Sequence, residues 1–477
     1  MIEEILSMED LIREAARRSA RYIDDLKERS VAPPTEAVER LTGFDLPLPE
    51  EPIAPIKVLQ ELDDLGSAAT VASAGPRYFG FVTGGSLPAA LAANYLAGAW
   101  DQNAVFHVAS PTTAFLEEVC RRWLVALFGL PPEAGVGFVT GATMANFSAL
   151  AAARHALLGR LGWDVETHGL FGAPPITVMV GAEVHVSVLK ALSLLGLGRE
   201  RVVRVAVDGQ GRMRPEAIPA LSEPAIICIQ AGNVNTGAFD PAGEICAIAQ
   251  TSNSWVHVDG AFGLWAAACP DRVHLAAGIP AAHSWATDAH KWLNVPYDSG
   301  IVFVRDPQHL QASMSSRAAY LIAGDTREPS HYTPELSRRA RGVEIWAALR
   351  SLGRFGLADL IERNCRYARR FAAGLKDAGY EVLNEVVLNQ VLVSFGSSER
   401  TRQVVARIQE DGTCWCGGTE WQGHAAMRIS VSSWATTEED VEGSLKAIIR
   451  LASDHGSPNV ETRVNIECPK SLNSKQG

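Results

Sequence analysis

The chain has 477 residues, of which 47% are hydrophobic, and its formal net charge is -11. At roughly 100 to 200 residues per domain, this length predicts two to four globular units with ample core. The acidic balance, with no basic run longer than pairs such as Arg338 and Arg339, argues against nucleic acid and anionic membranes as partners and favours a small-molecule ligand.

The sequence was also searched for targeting signals, membrane segments, disulfide patterns and metal-binding cysteines. The opening MIEEILSMED is acidic where a signal peptide is basic, and no segment offers about 18 uninterrupted apolar residues, so we expect a soluble cytoplasmic protein. The eight cysteines are too dilute for a disulfide framework. Cys414 and Cys416 lack further His or Cys partners at zinc-site spacing, so no metal is predicted.

The amino-terminal part is predicted to be helical. Residues 8 to 29 have helical spacing, Ser7 and Asp10 form a capping pattern, and Pro33 and Pro34 end the helix. We therefore assign residues 1–75 to a helical arm.

The middle of the chain alternates between two kinds of segment. Short strand-like runs alternate with Ala- and Leu-rich helical stretches between about residues 78 and 305; the runs are ITVMVG, AIICIQ, SWVHVDG and GIVFVRD. This alternation is typical of strands joined by crossover helices. The sequence predicts an α/β fold in which residues 76–325 form a large domain with a mostly parallel sheet covered on both faces.

A polar block separates this domain from a second one. Residues 313–334 show no sustained period, and such a long connection is a candidate mobile lid. Beyond it, one helix is predicted through Trp346 and Leu352 and another through Phe371 and Leu375, followed by strands in QVLVSF and AMRISVSS. These elements predict a smaller carboxy-terminal α/β domain over residues 326–454.

The predicted small domain ends in a helix and a tail. Thr436 and Glu439 have the spacing of a capping box and predict where the last helix begins. Residues 455–477 are polar, contain Pro458 and Pro469 and lack an apolar stripe, so we predict a flexible tail.

The first candidate site is a strand-to-helix turn in GFVTGATMANF. Gly141, Ala142 and Thr143 are small residues before an alanine-rich helix, and backbone amides at a helix amino terminus suit a phosphate group. An ordinary tight turn explains the segment equally well. His185 follows the strand ITVMVG, at the edge where ligands bind in open α/β sheets, although such a histidine is often structural.

Two further residues carry charge at the ends of apolar runs. Asp259 ends SWVHVD, where a carboxylate needs a partner to offset its desolvation, either a ligand cation or the start of the next helix. Lys291 stands between His290 and Trp292 in DAHKWLNVPYDSG. A lysine amine held partly out of water can lose its proton and attack an aldehyde, whereas the simpler alternative is a lysine that extends from a buried strand end to solvent.

Taken together, these motifs resemble one family. The order of Thr143, His185, Asp259 and Lys291, with the HisLysTrp motif and the upstream VHVDGAFG, resembles the group II pyridoxal 5′-phosphate-dependent amino-acid decarboxylases, which include aromatic amino-acid and glutamate decarboxylases. The resemblance covers roughly residues 76 to 452 and implies the fold type I, aspartate-aminotransferase-like architecture. It also implies an obligate homodimer in which the arm packs on the partner.

The resemblance assigns roles to individual positions. Lys291 would bind the cofactor aldehyde, Asp259 would pair with the pyridine nitrogen, and His185 would stack on the ring, which acts as an electron sink. The remaining positions implied to contact the cofactor are Ala142, Thr143 and His290 at the phosphate, Ala261 beneath the ring and Asn233 near the phenolic oxygen.

The resemblance implies that a tyrosine on a mobile loop, which often closes over the neighbouring subunit's site, is the proton donor to the carbon that loses carbon dioxide. Tyr332 matches best, shortly before a basic motif of Arg338, Arg339 and Arg341, and Tyr320 is the alternative. Either tyrosine could also have a packing role. Arg428, in AMRISVSS, resembles the arginine that clamps the substrate carboxylate in aminotransferases, so it does not separate the two reactions.

The substrate pocket is matched by two segments. Phe81, Val82 and Thr83 in GPRYFGFVTGG are the predicted substrate-binding residues, and VFHVASP adds Val105, Phe106 and His107. The pocket is largely apolar and favours an aromatic or large uncharged side chain, while Arg77 could still face an acidic one.

Three hypotheses follow from these motifs. The first is decarboxylation of an L-amino acid to its amine. The second is another reaction on the same cofactor, such as aldehyde-forming oxidative deamination, transamination or carbon–carbon lyase chemistry. The third is a catalytically silent paralogue that binds the cofactor.

Overall fold

The computed structural model describes residues 7–221, 223–315 and 327–454. Its α-helices, in chain order, are α1 Met8–Asp25, α2 Thr35–Glu39, α3 Pro55–Glu61, α4 Pro88–Trp100, α5 Pro111–Leu127, α6 Ala142–Arg160, α7 Val165–His168, α8 Val186–Leu194, α9 Ala242–Thr251, α10 Pro307–Met314, α11 Gly342–Asp377, α12 Ser398–Asp411 and α13 Glu438–Ser453.

The strands form two sheets. They are β1 Gly135–Val139, β2 Thr177–Gly181, β3 Val203–Val205, β4 Ala225–Gln230, β5 Trp255–Asp259, β6 Ser284–Asp288, β7 Gly300–Val304, β8 Glu381–Val382, β9 Gln390–Ser394, β10 Gly417–Trp421 and β11 His424–Ser430. The large sheet has the order β1-β7-β6-β5-β4-β2-β3, and the small sheet has the order β10-β11-β9-β8.

The large sheet is the middle layer of three. Its side chains alternate between two faces, so Val256 and Val258 of β5 join one core cluster and Trp255 joins the other. Helices α5, α9 and the start of α11 contribute to the first cluster, and α6, α8 and α10 contribute to the second. Burial on both faces explains the nearly continuous apolar strands and confirms the predicted α/β architecture.

One strand differs from the expected connectivity. Strands β3, β2, β4, β5 and β6 pair in parallel, but β7, the predicted GIVFVRD strand, is antiparallel to both β6 and β1. No crossover helix joins β6 to β7, because only residues 289–299 lie between them. Lys291 lies in this short return, which is therefore placed at the carboxyl edge of the parallel strands.

The amino-terminal arm has the predicted start but a shorter first helix. Ser7 and Asp10 form a reciprocal capping box, and α1 ends at Asp25 rather than near residue 29. No residue of α1 is buried within its own chain.

The small domain has one confirmed and one corrected feature. The two helices predicted around Trp346 and Phe371 meet at Gly353, whose φ of 60° interrupts α11. The capping box of α13 is formed by Thr437 and Asp440, one residue later than predicted. Thr436 is instead buried and donates its hydroxyl to Pro76 O, which ties this end of the small domain to the start of the large one.

Parts of the polar block, residues 313–334, have regular structure that the sequence did not predict. Ser313 belongs to α10, and Pro329–Tyr332 forms a buried 3-10 turn, while residues 316–326 lie outside the described part of the chain. Tyr332 and Ile345 pack into the clusters of the large sheet, whereas Tyr367 joins the cluster of the small one. The packing of the large domain therefore extends beyond the boundary expected at residue 326.

The described residues include seven of the eight cysteines. All seven cysteines within them are free and buried. In the same ranges, no helix is long and apolar enough to cross a membrane, and no cluster of three or more His, Cys, Asp and Glu side chains could hold a metal ion.

Candidate active site

The return between β6 and β7 fixes the position of Lys291. Next to it, Trp292 is fully buried and donates its indole N–H to Asn364 of α11 over 3.0 Å. Asn294 donates to the carbonyls of Trp292 and Ser432 and accepts from Trp434 N. These bonds hold the return against both domains, so the backbone of Lys291 has little freedom.

Asp288, the last residue of β6, is the centre of the site. It is 2% exposed, and its Oδ2 lies 3.1 Å from Lys291 Nζ. Its Oδ1 accepts Ala142 N over 2.5 Å and lies 3.6 Å from His290 Nε2. One buried carboxylate thus brings together the lysine, the histidine and the start of α6.

The predicted phosphate turn lies beside this carboxylate. Gly141 is the N-cap of α6 and supplies no side-chain cap, while Ala142 and Thr143 begin the helix. The backbones are closely packed, because a Cβ on Gly141 would meet His290 Cε1 at 3.1 Å. Glycine at this position therefore permits the approach of the β6–β7 return to the helix start.

Asp259 is buried at the end of β5. Its Oδ1 accepts Ala261 N over 3.2 Å, and its Oδ2 accepts Asn146 Nδ2 over 3.3 Å. Within the described ranges it forms no ion pair. Ala261 also accepts Asp288 N through its carbonyl, so the ends of β5 and β6 are joined at the predicted position beneath the cofactor.

His185 is the N-cap of α8, and its Nδ1 accepts Ser187 N over 3.2 Å. Burial lowers the pKa of this imidazole, against the opposing effect of Asp259, and Lys291 and Arg428 lower it further. The ring therefore lies among the charged groups of the site, and both the structural and the ligand-facing readings of His185 are compatible with this position.

His290 is held by the return itself. Ser299 N donates to its Nδ1 over 3.0 Å, and its ring lies 4.4 Å from that of Tyr297. Burial lowers the pKa of His290, whereas Asp288 acts to raise it. The lowered pKa favours the neutral form of this imidazole.

The predicted substrate residues form a strained loop that packs against the backbone of Lys291. Phe81 and Val82 have φ values of 51° and 60°, a region that side-chain-bearing residues rarely adopt. Gly84 packs so closely on the carbonyl of Lys291 that a Cβ could not fit. Thr83 Oγ1 lies 3.4 Å from the Tyr297 hydroxyl, and Val82 is buried whereas Phe81 is exposed. The structure thus brings this loop to the predicted site.

The second predicted pocket segment is hydrogen-bonded to the start of the 3-10 turn at Pro329–Tyr332. Val105 O accepts Ser330 N over 3.1 Å, and His107 N donates to Glu328 over 2.7 Å. Phe106 is the residue between them. No hydrogen bond joins this segment to the return that carries Lys291 among the residues described.

Arg77 and Arg428 both donate to backbone carbonyls. Arg77 donates to the carbonyls of Lys27 and Arg29, so its guanidinium is bonded to the arm. Arg428 Nη1 donates to Val234 O and to Asn235 Oδ1, each over 3.3 Å. Burial lowers the pKa of Arg428 to about 10, and no carboxylate pairs with it in the described part of the chain.

Asn233 shapes its own turn. Its Oδ1 accepts Asn235 N and Thr236 N, while its buried Nδ2 has no partner among the described residues and lies close to Gly211. The structure does not connect Asn233 with Lys291.

Within its own chain, Tyr332 lies away from Lys291. It packs beside the amino end of β1, where a Cβ on Gly135 would lie 3.4 Å from its ring, whereas Gly141 follows the opposite end. Its hydroxyl accepts Gln311 Nε2 over 2.6 Å, and the Arg327 guanidinium lies 4.3 Å from the centre of its ring. This geometry corresponds to the packing role, and the alternative Tyr320 lies outside the described residues.

The basic motif after Tyr332 anchors the chain. Arg338 pairs with the buried Glu117 over 2.6 Å, and Arg339 and Arg341 pair with Glu344 and Asp298. These pairs hold the segment before α11 against α5 and the β6–β7 return.

Three residues that organise the site are not among those predicted from the sequence. Asp288 ends β6, a strand that was not predicted because SWATD is short and only partly apolar. Asn146 and His257 are fully buried polar side chains inside otherwise apolar elements. A polar residue within an apolar run was the available signal, because burial without partners is costly.

The chain is similar in sequence to proteins of known family. The Pyridoxal-dependent decarboxylase conserved domain matches residues 39–396. The chain is 30% identical over 405 residues to the aromatic-L-amino-acid decarboxylase of Drosophila lebanonensis, covering 78% of this chain and 97% of that protein. It is 28% identical over 369 residues to the human acidic amino acid decarboxylase GADL1, covering 74% and 69% of the two chains.

Solved structures show the same fold. The Oryza sativa TDC with PLP and tryptamine superposes with a TM-score of 0.87 at 22% identity, covering 94% of this chain and 98% of that one. Mouse CSAD superposes with a TM-score of 0.85 at 23% identity, with coverage of 94% and 98%. These likenesses support the predicted fold type I architecture.

Proposed function

Because this chain belongs to the pyridoxal-dependent decarboxylases, we propose that it converts an L-amino acid with an aromatic or large uncharged side chain into the amine and carbon dioxide. One observation carries this proposal. A lysine amine, Lys291, and a buried carboxylate without a cation partner in the described residues, Asp259, stand at the same carboxyl edge of the sheet.

The residues present fit pyridoxal 5′-phosphate. Asp259 is a buried acceptor without a matching charge, which suits a pyridinium N–H, and α6 begins without a side-chain cap, which suits a phosphate. Lys291 would hold the aldehyde, Asp259 the ring nitrogen and His185 the ring face, with Ala142, Thr143 and His290 near the phosphate. When bound, the cofactor supplies an electron sink for the pair left by the departing carboxylate.

The chain's own groups would prepare this chemistry. Asp288 places the Lys291 amine through a contact of 3.1 Å and holds the start of α6 through Ala142 N. His290 Nε2 lies 3.6 Å from the other oxygen of the same carboxylate. Positioning of this kind lowers the entropic cost of reaction.

The substrate preference rests on the loop over Lys291. The exposed Phe81 presents apolar surface on the loop whose Gly84 packs against the Lys291 carbonyl, and Thr83 adds a hydroxyl. Trp415 supports Phe81, with ring centroids 5.3 Å apart. An aromatic side chain would pack on such a surface better than a charged one.

A second candidate is decarboxylation of an acidic amino acid. Arg428 is a buried guanidinium without a carboxylate among the described residues, and one relative is named an acidic amino acid decarboxylase. A bound carboxylate would offset the cost of burying this charge. Under this candidate, Arg428 would face the substrate side chain.

A panel of the twenty common amino acids tests the function directly. We expect carbon dioxide and an amine to be released fastest from phenylalanine, tyrosine or tryptophan. A preference for glutamate or aspartate that is lost in Arg428→Met would favour the second candidate. An aldehyde or keto acid in place of the amine would contradict decarboxylation to the amine, and cofactor binding without turnover would indicate a silent paralogue.

The proton donor is tested by two single-atom changes. Tyr332→Phe is expected to leave kcat within about twofold and to cost about 1 kcal/mol of stability through the lost bond to Gln311. Tyr320→Phe is the contrasting variant, for which the donor role predicts a loss of about 10²-fold or more in kcat. A large loss of kcat in Tyr332→Phe alone would contradict the packing role of Tyr332.

We also propose that the arm contacts a second copy of the chain. Helix α1 buries no residue in its own chain, and the arm exposes several large apolar side chains, including Ile12, Leu48 and Leu62. Such a surface is typical of an interface. Light scattering should give the mass of a homodimer, and a monomer at micromolar concentration would contradict the proposal.

A further inference from the structure

A buried chain of hydrogen bonds lies beneath Asp259. His257 precedes Asp259 by two residues on β5, so both side chains point to the face covered by α6. There, His257 Nε2 lies 2.8 Å from Asn146 Oδ1, and Asn146 Nδ2 lies 3.3 Å from Asp259 Oδ2. Asn146 and His257 are both fully buried, so water does not compete for these bonds.

The direction of each bond follows from its chemistry. A carboxylate oxygen only accepts, so Asn146 must present its NH₂ group to Asp259 and its carbonyl oxygen to His257. That oxygen also only accepts, so His257 must carry a proton on Nε2. The amide orientation and the histidine tautomer are therefore set together.

At the other end of this series of hydrogen bonds, His257 meets Ser284. Ser284 Oγ accepts the indole N–H of Trp255 over 2.9 Å, so its own proton is free to go to His257 Nδ1, which lies 2.9 Å away. Burial lowers the pKa of His257 to about 4, although Asp259 and a hydrogen bond with the Ser284 backbone act to raise it. A neutral imidazole with its proton on Nε2 satisfies every bond in the chain.

A branch from Asn146 reaches the second cofactor residue. Asn146 Nδ2 also lies 3.2 Å from Ser187 Oγ, which lies 2.8 Å from His185 Nδ1. The backbone N–H of Ser187 donates to the same Nδ1. Because Nδ1 accepts, neutral His185 must carry its proton on Nε2.

We propose that Asn146 and His257 are positioning residues, in which one buried amide couples Asp259 to His185 and fixes the carboxylate orientation and the tautomer of the imidazole together. This inference rests on the cofactor roles proposed for Asp259 and His185. Neither Asn146 nor His257 need touch the cofactor or the substrate, because each acts through a neighbouring side chain.

Neutron diffraction of the holoenzyme tests the proton positions without any measurement of activity. We expect deuterium on Nε2 of both His257 and His185, and none on Nδ1 of either ring. Deuterium on Nδ1 of His185, or a bare Nε2 on His257, would overturn the inference. The proton pattern is independent of whether the enzyme decarboxylates, so failure of the proposed function would be seen separately.

Cofactor affinity tests the coupling. Asn146→Ala should raise the dissociation constant of pyridoxal 5′-phosphate for the apoprotein about tenfold or more, because Asp259 Oδ2 loses its hydrogen bond from Asn146. Ser148→Ala is the matched control, since Ser148 is buried on the same helix but donates only to Met144 O. An equal weakening in both variants, or none in Asn146→Ala, would contradict the coupling.

The histidine is tested by a pair of replacements. His257→Gln keeps an N–H that can reach Asn146 Oδ1, whereas His257→Leu removes it. We expect the glutamine variant to bind the cofactor more tightly than the leucine variant by about tenfold. Equal affinities at equal melting temperatures of the two apoproteins would show that His257 only fills space.

Discussion

Replacement of Lys291 by alanine is expected to lower kcat for carbon dioxide release on the order of 10⁶-fold, as for the loss of other covalent residues. The amine lies 3.1 Å from Asp288 and has 18% of its side chain exposed. No other lysine amine approaches Asp288 among the described residues. The rate of carbon dioxide release under saturating cofactor and substrate is the measurement.

Lys190→Ala is the control for this experiment. Lys190 is an exposed lysine on α8, the helix that His185 caps. Its loss should leave kcat within about twofold, because surface substitutions have small effects. If Lys291→Ala retained the wild-type rate, the covalent role of Lys291 would be wrong.

Replacement of Asp259 by asparagine should have the second-largest effect. The carboxamide has the same shape but no charge, so it cannot hold a cationic ring nitrogen in a buried site. We expect kcat to fall about 10²- to 10³-fold, as when a preorganised electrostatic group is removed. Steady-state kinetics at saturating cofactor measures this loss.

The melting temperature of the Asp259→Asn apoprotein checks the fold. It should fall by several degrees without loss of the fold, because the single asparagine oxygen can accept Ala261 N or Asn146 Nδ2 but not both. An Asp259→Asn enzyme with wild-type kcat would show that the charge of Asp259 has no part in the reaction.

The sequence predicted the parts of the site that local pattern determines. Lys291 and Asp259 are recognisable because a charge at the end of an apolar run is rare, and the small residues at Gly141 mark a close approach. The structure places all three at one edge of the large sheet. Membership of the family and the mostly parallel sheet are confirmed as well.

The remaining parts depend on tertiary placement. Asp288 could not be recognised as a shared partner, because its contacts with Ala142 and Lys291 join segments far apart in the chain. Tyr332 matched a motif, but its neighbours on β1 and α10 place it at the opposite end of the sheet. Spacing along the chain carries no information on which end of a strand a later segment reaches.

Borohydride reduction of the holoenzyme followed by peptide mass spectrometry tests the central claim most directly. Reduction makes the lysine–cofactor bond permanent, so the account predicts a pyridoxyl phosphate group on the peptide that contains Lys291 and on no other lysine. A modification on a different lysine, or an unmodified Lys291 in a protein that retains its cofactor, would contradict it.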